Sequence, residues 1–129
     1  MTDPITDMLN RIRNAQAVFH PTVVFPFSKF KYEIAKILQK EGFVGEVEKK
    51  KRKEKKIIKI NLEYSEKKPV ISGLKRISKP GQRIYTSAKN IKSVCKGYWI
   101  AIISTSKGLM TNKEARKRKL GGEVICEIW

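Results

Sequence analysis

The chain has 129 residues, 40% of them apolar, and carries 29 Lys and Arg against 12 Asp and Glu, for a formal charge of +17. That length accommodates one ordinary domain or two small ones, and the apolar share excludes wholesale disorder. An excess of charge this large repels itself and calls for a polyanionic partner, most often nucleic acid.

Taken in order, Thr2 or Asp3 ahead of Pro4 reads as a helix start, a capping side chain before a proline in the first turn. Ile5, Met8, Leu9 and Ile12 then recur at helical spacing and mark one apolar face. Arg11, Arg13 and Asn14 fall off that stripe, either as solvated surface or as phosphate and sugar contacts. Residues 22–25 make a short strand closed by Pro26, and Ser28 caps a second helix that Gly42 stops. Lys29, Lys31, Lys36 and Lys40 are expected on the exposed side of that helix. Residues 43–48 and 57–62 look like two strands.

Between those strands lies a run, 49–56, with seven cations in eight residues. It reads as a cationic hairpin tip, a solvated loop that keeps sheet edges apart, or a nuclear localisation signal. A nonspecific electrostatic role is favoured. Residues 65–69 are polar, end in Pro69 and make a linker. The α-β-α-β-β order before them suggests a small α+β domain over residues 1–64.

Residues 70–74 begin a strand. Lys75, Arg76, Lys79 and Arg83 then surround a Pro80-Gly81 turn that ends at Tyr85. Cations on both sides of a turn can bracket a phosphate backbone, and Tyr85 adds either a flat face with a hydroxyl or a core side chain. Residues 87–92 suit a short helix or helical turn, 95–97 a loop, and 98–103 a strand. Thr111 and Glu114 stand at capping-box spacing ahead of a brief basic helix. Leu120-Gly121-Gly122 ends it, and 124–129 forms a last strand. The whole is an α+β protein of two small domains, the second (70–129) mostly β with short helices.

The organising stretch is Ala101-Ile102-Ile103-Ser104-Thr105-Ser106-Lys107-Gly108. Three apolar residues suited to a buried strand run into three hydroxyls, a cation and a glycine. Buried together, the hydroxyls would be costly without partners, so a surface loop that meets a polar ligand is expected. Ser and Thr can contact phosphate, sugar and base edge, and Gly108 permits close backbone approach. A carboxylate beside RNA would be repelled, so Glu123 makes sense as an acceptor for an exocyclic amine or an orienter of the serine loop. It also suits an ordinary exposed strand residue.

Catalysis has little to work with. Ser104 and Ser106 lack a nearby base, since the only histidine, His20, stands about eighty residues upstream. The loop lacks the Gly-x-x-x-x-Gly-Lys-Ser/Thr pattern, and neither Cys95 nor Cys126 has the neighbours of a zinc shell. No enzyme, metal or cofactor is expected, and a phosphoesterase using Ser104 ranks far behind. Two sparse cysteines fit a reducing compartment. No apolar run approaches the roughly 20 residues of a membrane span, so no membrane partner is expected. The polar, acidic opening is unlike a targeting peptide, which points to a protein that works where it is made.

Ser104-Thr105-Ser106-Lys107-Gly108-Leu109-Met110-Thr111-Asn112, with Glu114-Ala115-Arg116 and Gly121-Gly122-Glu123-Val124-Ile125-Cys126, resembles the C-terminal signature of bacterial-type ribosomal protein S-eight. Asp3-Pro4 with Arg11-Ile12-Arg13-Asn14-Ala15 resembles that family's opening helix, Glu41-Gly42-Phe43 the end of its second helix, and Leu74-Lys75-Arg76-Ile77-Ser78-Lys79-Pro80-Gly81 its central turn. The resemblance covers essentially the whole chain. It implies a two-domain protein that binds the central domain of small-subunit ribosomal RNA early in assembly. Ser104, Thr105, Ser106 and Gly108 match the recognition loop, Lys107 lies within it, and Tyr85 and Glu123 match positions at the same RNA surface. Basic residues such as Lys31 touch a neighbouring RNA segment by the same analogy. The resemblance also implies packing beside the fifth small-subunit protein, a cytoplasmic or organellar ribosome, and in some bacteria repression of the protein's own operon messenger. Asn112 stands where an aspartate is usual, and the 49–56 run is unusually rich in lysine. The runner-up is a basic RNA- or DNA-binding regulator on the same fold.

Overall fold

The computed structural model describes residues 3–91 and 99–129. They form two compact units, one spanning Pro4–Ser72 and the other joining Asp3 to Gly73–Trp129. Helices combine with antiparallel sheets in an α+β fold.

In the first unit the order is α1 (Pro4–Ala17), β1 (Thr22–Pro26), α2 (Lys29–Lys40), β2 (Val44–Arg52), β3 (Lys55–Leu62) and a small hairpin of β4 (Tyr64–Ser65) and β5 (Lys68–Pro69). The larger strands form an antiparallel sheet in the order β1-β3-β2, with α1 against β1 and α2 against β2. The helical stripe read from sequence is the face that α1 buries: Ile5, Met8, Leu9 and Ile12. Phe25, Ile34, Leu38, Ile58 and Ile60 complete the core at 0–1% exposure. Ser28 caps α2, its Oγ accepting from the Lys31 amide at 3.1 Å. Gly42, at φ +81°, takes the left-handed position that stops it.

Three features differ from the sequence expectation. The cationic run is no loop, because β2 and β3 continue through it to a turn at Lys53 and Glu54, with φ 48° and 66°. Two consecutive left-handed residues make a type I′ turn, whose twist matches the flanking strands. The stretch read as a linker folds back as the β4–β5 hairpin, turning at Glu66 and Lys67. Lys31, placed by spacing on the exposed side of α2, is only 7% exposed, with its ammonium 5.7 Å from the Phe25 ring centroid. Its long stem packs while the charge rests on an aromatic face.

The second unit contains β6 (Leu74–Arg76), β7 (Tyr85–Thr86), a 3-10 turn (Ala88–Asn90), β8 (Ile100–Thr105), β9 (Gly108–Thr111), α3 (Asn112–Lys117) and β10 (Gly122–Ile128). The sheet runs β6-β10-β8-β9, and β7 also pairs with β10. Ile91, Ile103, Met110 and Ala115 form a buried cluster under α3, with Leu120 packed against it. Thr111 caps α3, its Oγ1 accepting from the Glu114 amide at 3.2 Å, as the capping spacing predicts. Asn112 is 2% exposed and its Oδ1 accepts from the Ala101 amide at 3.1 Å. A neutral amide therefore supplies the acceptor without burying a charge. Cys126 is fully buried, and burial pushes its thiol up to about 12, which leaves it inert. The loop expected at 95–97, Cys95 included, and the strand start at 98 lie outside the described residues.

A side chain in the left-handed region costs about 1 kcal/mol or more per residue. Replacing Lys53→Asn together with Glu54→Gly keeps the net charge and is expected to raise stability by roughly 1 kcal/mol, read by urea unfolding. An unchanged midpoint would refute the turn assignment. Desolvation lowers the Lys31 pKa from 10.5, chiefly through burial, with Asp7 opposing it. The unfolded chain therefore holds this proton more tightly, and stability gains from Lys31 as pH rises from its lowered folded value toward 10.5. Lys31→Met removes that gain. The stability difference between variant and parent should shift toward the parent as pH rises toward 10.5, which paired urea titrations would detect.

Candidate nucleic-acid interface

The hydroxyl stretch is the end of a strand and its turn rather than a loose loop. Ser104 and Thr105 belong to β8, and only Ser106 and Lys107 connect them to β9, where Thr105 pairs with Gly108. Thr105 is spent on holding this turn. Its Oγ1 donates to the Gly108 carbonyl at 2.8 Å and accepts from the Lys107 amide at 3.1 Å. Gly108 sits at φ +109°, outside the range of ordinary side chains.

Strand pairing then assembles the surface. Glu123 of β10 lies opposite Ser104 of β8 on one side and opposite Tyr85 of β7 on the other. Ser104 is in turn opposite Leu109 of β9. Directly paired residues point to the same face, with Cβ atoms about 5 Å apart. Tyr85, Glu123 and Ser104 thus form one row across three strands. Alternation puts this row on the side of β8 opposite Ile103, the residue that packs with Ala115 of α3. Tyr85 is 69% exposed, which removes the core alternative for it. Among the described residues, the hydroxyls of Tyr85, Ser104 and Ser106 have no hydrogen-bond partner.

Glu123 is oriented rather than free. Its Oε2 accepts from Arg83 Nη1 at 3.1 Å, with the carboxylate side chain 18% exposed and the guanidinium 49%. Arg83 thereby offsets the carboxylate and keeps donors available to an anion. Both residues are positioned by Ser78, which the sequence reading did not single out. It is fully buried, and its Oγ accepts from the Ile84 amide at 2.8 Å and donates to the Ile84 carbonyl at 3.1 Å. The Ile84 carbonyl also accepts from the Val124 amide at 2.9 Å, tying the turn segment to β10. The turn itself closes through two 2.9 Å bonds between Lys79 and Gln82, with Gly81 at φ +87° after Pro80, as a type II turn requires. A hydroxyl can donate and accept at once, so one buried serine clamps both backbone groups of the residue before Tyr85.

The other expected cations divide. Lys75 and Lys79 are exposed, as is Lys107 beside Ser106. Arg76 is a correction: its side chain is 9% exposed and donates to Asp3 Oδ2 at 3.1 Å and to the Ile125 carbonyl at 2.7 Å. The fold engages two of its five N–H donors and leaves its side chain largely buried. In the first unit Arg11 donates to Asp7 at 3.0 Å and to the Val24 carbonyl at 3.2 Å, and Arg13 to Asn10 at 2.8 Å. Both remain exposed, as does Asn14, whereas Lys31 is buried.

Two glycines let β10 enter this sheet. A Cβ on Gly122 would stand 2.0 Å from the Ser104 carbonyl oxygen, and one on Gly121 would stand 2.5 Å from the Thr86 carbonyl oxygen. Both neighbours are backbone and cannot turn aside. Gly121 and Gly122 were expected to end α3; Gly122 instead begins β10. Among the described residues no group of His, Cys, Asp and Glu could hold a metal, and no helix is long and apolar enough to cross a membrane.

The structure is thus that of a strongly basic α+β protein whose second sheet presents Tyr85 and Ser104 on either side of an arginine-paired carboxylate. The sequence model described as Ribosomal protein S8 matches residues 3–129. The small ribosomal subunit protein uS8 of Caldanaerobacter subterraneus subsp. tengcongensis is 59% identical over 130 aligned residues, covering 100% of this chain and 98% of the relative. The proteins of that name from Clostridium novyi and Halalkalibacterium halodurans are 53% and 52% identical, with the same coverage. The chain belongs to the ribosomal protein S8 family.

The close approach at Gly122 yields a direct test. Gly122→Ala drives a methyl into the Ser104 carbonyl and should cost about 1–3 kcal/mol on the scale of overpacking. Chemical denaturation measures the loss, and a variant as stable as the parent would contradict the pairing of β10 with β8.

Proposed function

We propose that this protein is a structural constituent of the small ribosomal subunit that binds ribosomal RNA through the β7–β10–β8 face of its second unit. The single observation that carries this reading is the row of Tyr85, Glu123 and Ser104, continued by Ser106 at the turn, with three hydroxyls that lack a partner among the described residues. Exposed tyrosine offers a stacking surface, the serines can address phosphate, 2′-hydroxyl or base edge, and Glu123 can accept from an exocyclic amine. Such chemistry suits an irregular RNA helix with unstacked bases better than the uniform grooves of a duplex. Thr105, Lys107 and Gly108 shape the turn, and Lys75, Lys79 and Arg83 bring phosphate to its rim.

The family resemblance supports the finer assignment. The RNA is the central domain of the small-subunit ribosomal RNA, bound early in assembly to stabilise the platform. The neighbouring protein is the fifth of the small subunit, and the protein resides on the cytoplasmic ribosome. Arg11, Arg13 and Asn14 supply auxiliary contacts, while Lys31 is withdrawn from that set by its burial. An operon messenger that imitates the ribosomal site would be bound through the same face. Neither role calls for catalysis.

Filter binding to a minimal central-domain RNA tests the assignment. Ser104→Ala with Ser106→Ala should weaken binding by roughly 1–3 kcal/mol, the scale of unpaired polar contacts. The affinity of both proteins for duplex DNA should stay equal and low at physiological salt. A double variant that binds the RNA as well as the parent would sink this site, and a preference for duplex DNA would favour a DNA-binding regulator.

A further inference from the structure

The first unit carries an aromatic and cationic patch separate from the hydroxyl face. Phe27, just before the α2 cap, and Tyr32, in the first turn of α2, have ring centroids 5.9 Å apart at 46°. Both side chains are half-buried. Lys49 of β2 stands over both, its ammonium 5.4 Å from the Phe27 centroid and 5.7 Å from that of Tyr32. Lys56 of β3 lies 6.0 Å from Phe27, and Lys36 of α2 lies 5.8 Å from Tyr32. These three lysines are exposed, and among the described residues none is in an ion pair.

The hairpin beside this patch holds like charges in register. Lys51 is directly opposite Lys56, and Arg52 directly opposite Lys55. Facing like charges destabilise a ladder, and two extended strands cannot spread them as a loose loop would. The Phe27 ring engages Lys56 of the first pair, while among the described residues Lys51, Arg52 and Lys55 have no ring contact or ion pair to offset the charge they face. A polyanion laid along β2 and β3 relieves both. Aromatic faces beside a cationic track are the two components of a single-strand binding surface. A duplex supplies phosphates but no free base for the rings, and an acidic peptide matches the charge while leaving the rings unused.

We propose that Phe27 and Tyr32, with Lys36, Lys49 and Lys56, form a stacking site for an unpaired nucleotide of RNA whose flanking phosphates follow the β2–β3 hairpin. The site shares with the proposed function only the ligand class, RNA, and uses neither Ser104 nor Tyr85.

The experiment is fluorescence anisotropy of the full chain with a labelled single-stranded oligoadenylate decamer across a salt series. Phe27→Leu with Tyr32→Leu should weaken binding at least about fivefold at an unchanged salt slope, as loss of base stacking requires. Lys49→Gln with Lys56→Gln should instead flatten the slope by roughly one to one and a half, the value for two phosphates on a single strand. Ser104→Ala with Ser106→Ala should leave decamer binding intact. The two assignments therefore fail separately: loss of central-domain RNA recognition leaves this site standing. Full affinity in the leucine variant would overturn the stacking site, as would equal competition by an oligoglutamate decamer. If the leucine variant melts, a 5-bromouridine decamer photocrosslinked to the unaltered protein decides the matter. Crosslinks at Phe27 or Tyr32 support the site, and crosslinks confined to the second unit refute it.

Discussion

The surface of the second unit depends on how closely β10 can approach β8. That strand is the centre of its sheet, with β6 and β7 on one side and β8 on the other. At Gly122 the two backbones meet so tightly that a methyl group has no space beside the Ser104 carbonyl. Glu123 is the next residue, and its register with both Tyr85 and Ser104 follows from that contact. A bulge between Val124 and Cys126 shifts the register further along. Beyond it Cys126, opposite Ile102, and Ile128, opposite Ile100, are buried, while Glu123 stays at the polar end. The polar row is therefore a consequence of packing: the buried half of β8 fixes the strand, and the strand delivers its hydroxyls to a set place.

The positive charge is not uniform in what it does. Arg76 and Lys31 are drawn into the protein, one by the Asp3 carboxylate and a carbonyl, the other by an aromatic ring. Arg83 holds Glu123, and Arg11 holds Asp7, yet each keeps an exposed face. The β2–β3 hairpin is the opposite case, where cations face one another across the ladder. In water such pairs are weakened by solvent and salt, so the hairpin survives. Their cost falls when an anion arrives, which couples the folded shape of the hairpin to a partner. The same total charge thus divides into ions that build the fold and ions that stay exposed.

Much of the fold is legible in the residues. The α1 stripe, the Ser28 and Thr111 caps, the stop at Gly42 and the Pro80-Gly81 turn all act within a few residues of chain, and each appears where spacing and side-chain chemistry put it. Less legible were features that need a distant partner. A lysine run looks like a loop because charge is abundant in loops, yet alternating Ile58 and Ile60 hold β3 and pull its neighbours into the ladder. Ser78 looks like one polar residue among many until the turn folds and brings both backbone groups of Ile84 to its hydroxyl. Phe27 and Tyr32 read as ordinary aromatic residues near a helix start, because the lysines that surround them come from two strands and a later turn of the helix.

Sequence alone determined the α+β composition and the family, and it singled out Ser104, Ser106, Tyr85 and Glu123 as candidates for a polar partner. Charge, hydropathy period and local hydroxyl chemistry are properties of composition and near neighbours, and the resemblance to a family ties them to RNA. Only the tertiary structure decided that Tyr85 is exposed, that Thr105 is spent on its turn and that Arg76 and Lys31 are withdrawn. Those outcomes turn on which of several nearby acceptors, rings and carbonyls each side chain reaches. Strand register sets those distances, and register is settled by residues far apart in the chain.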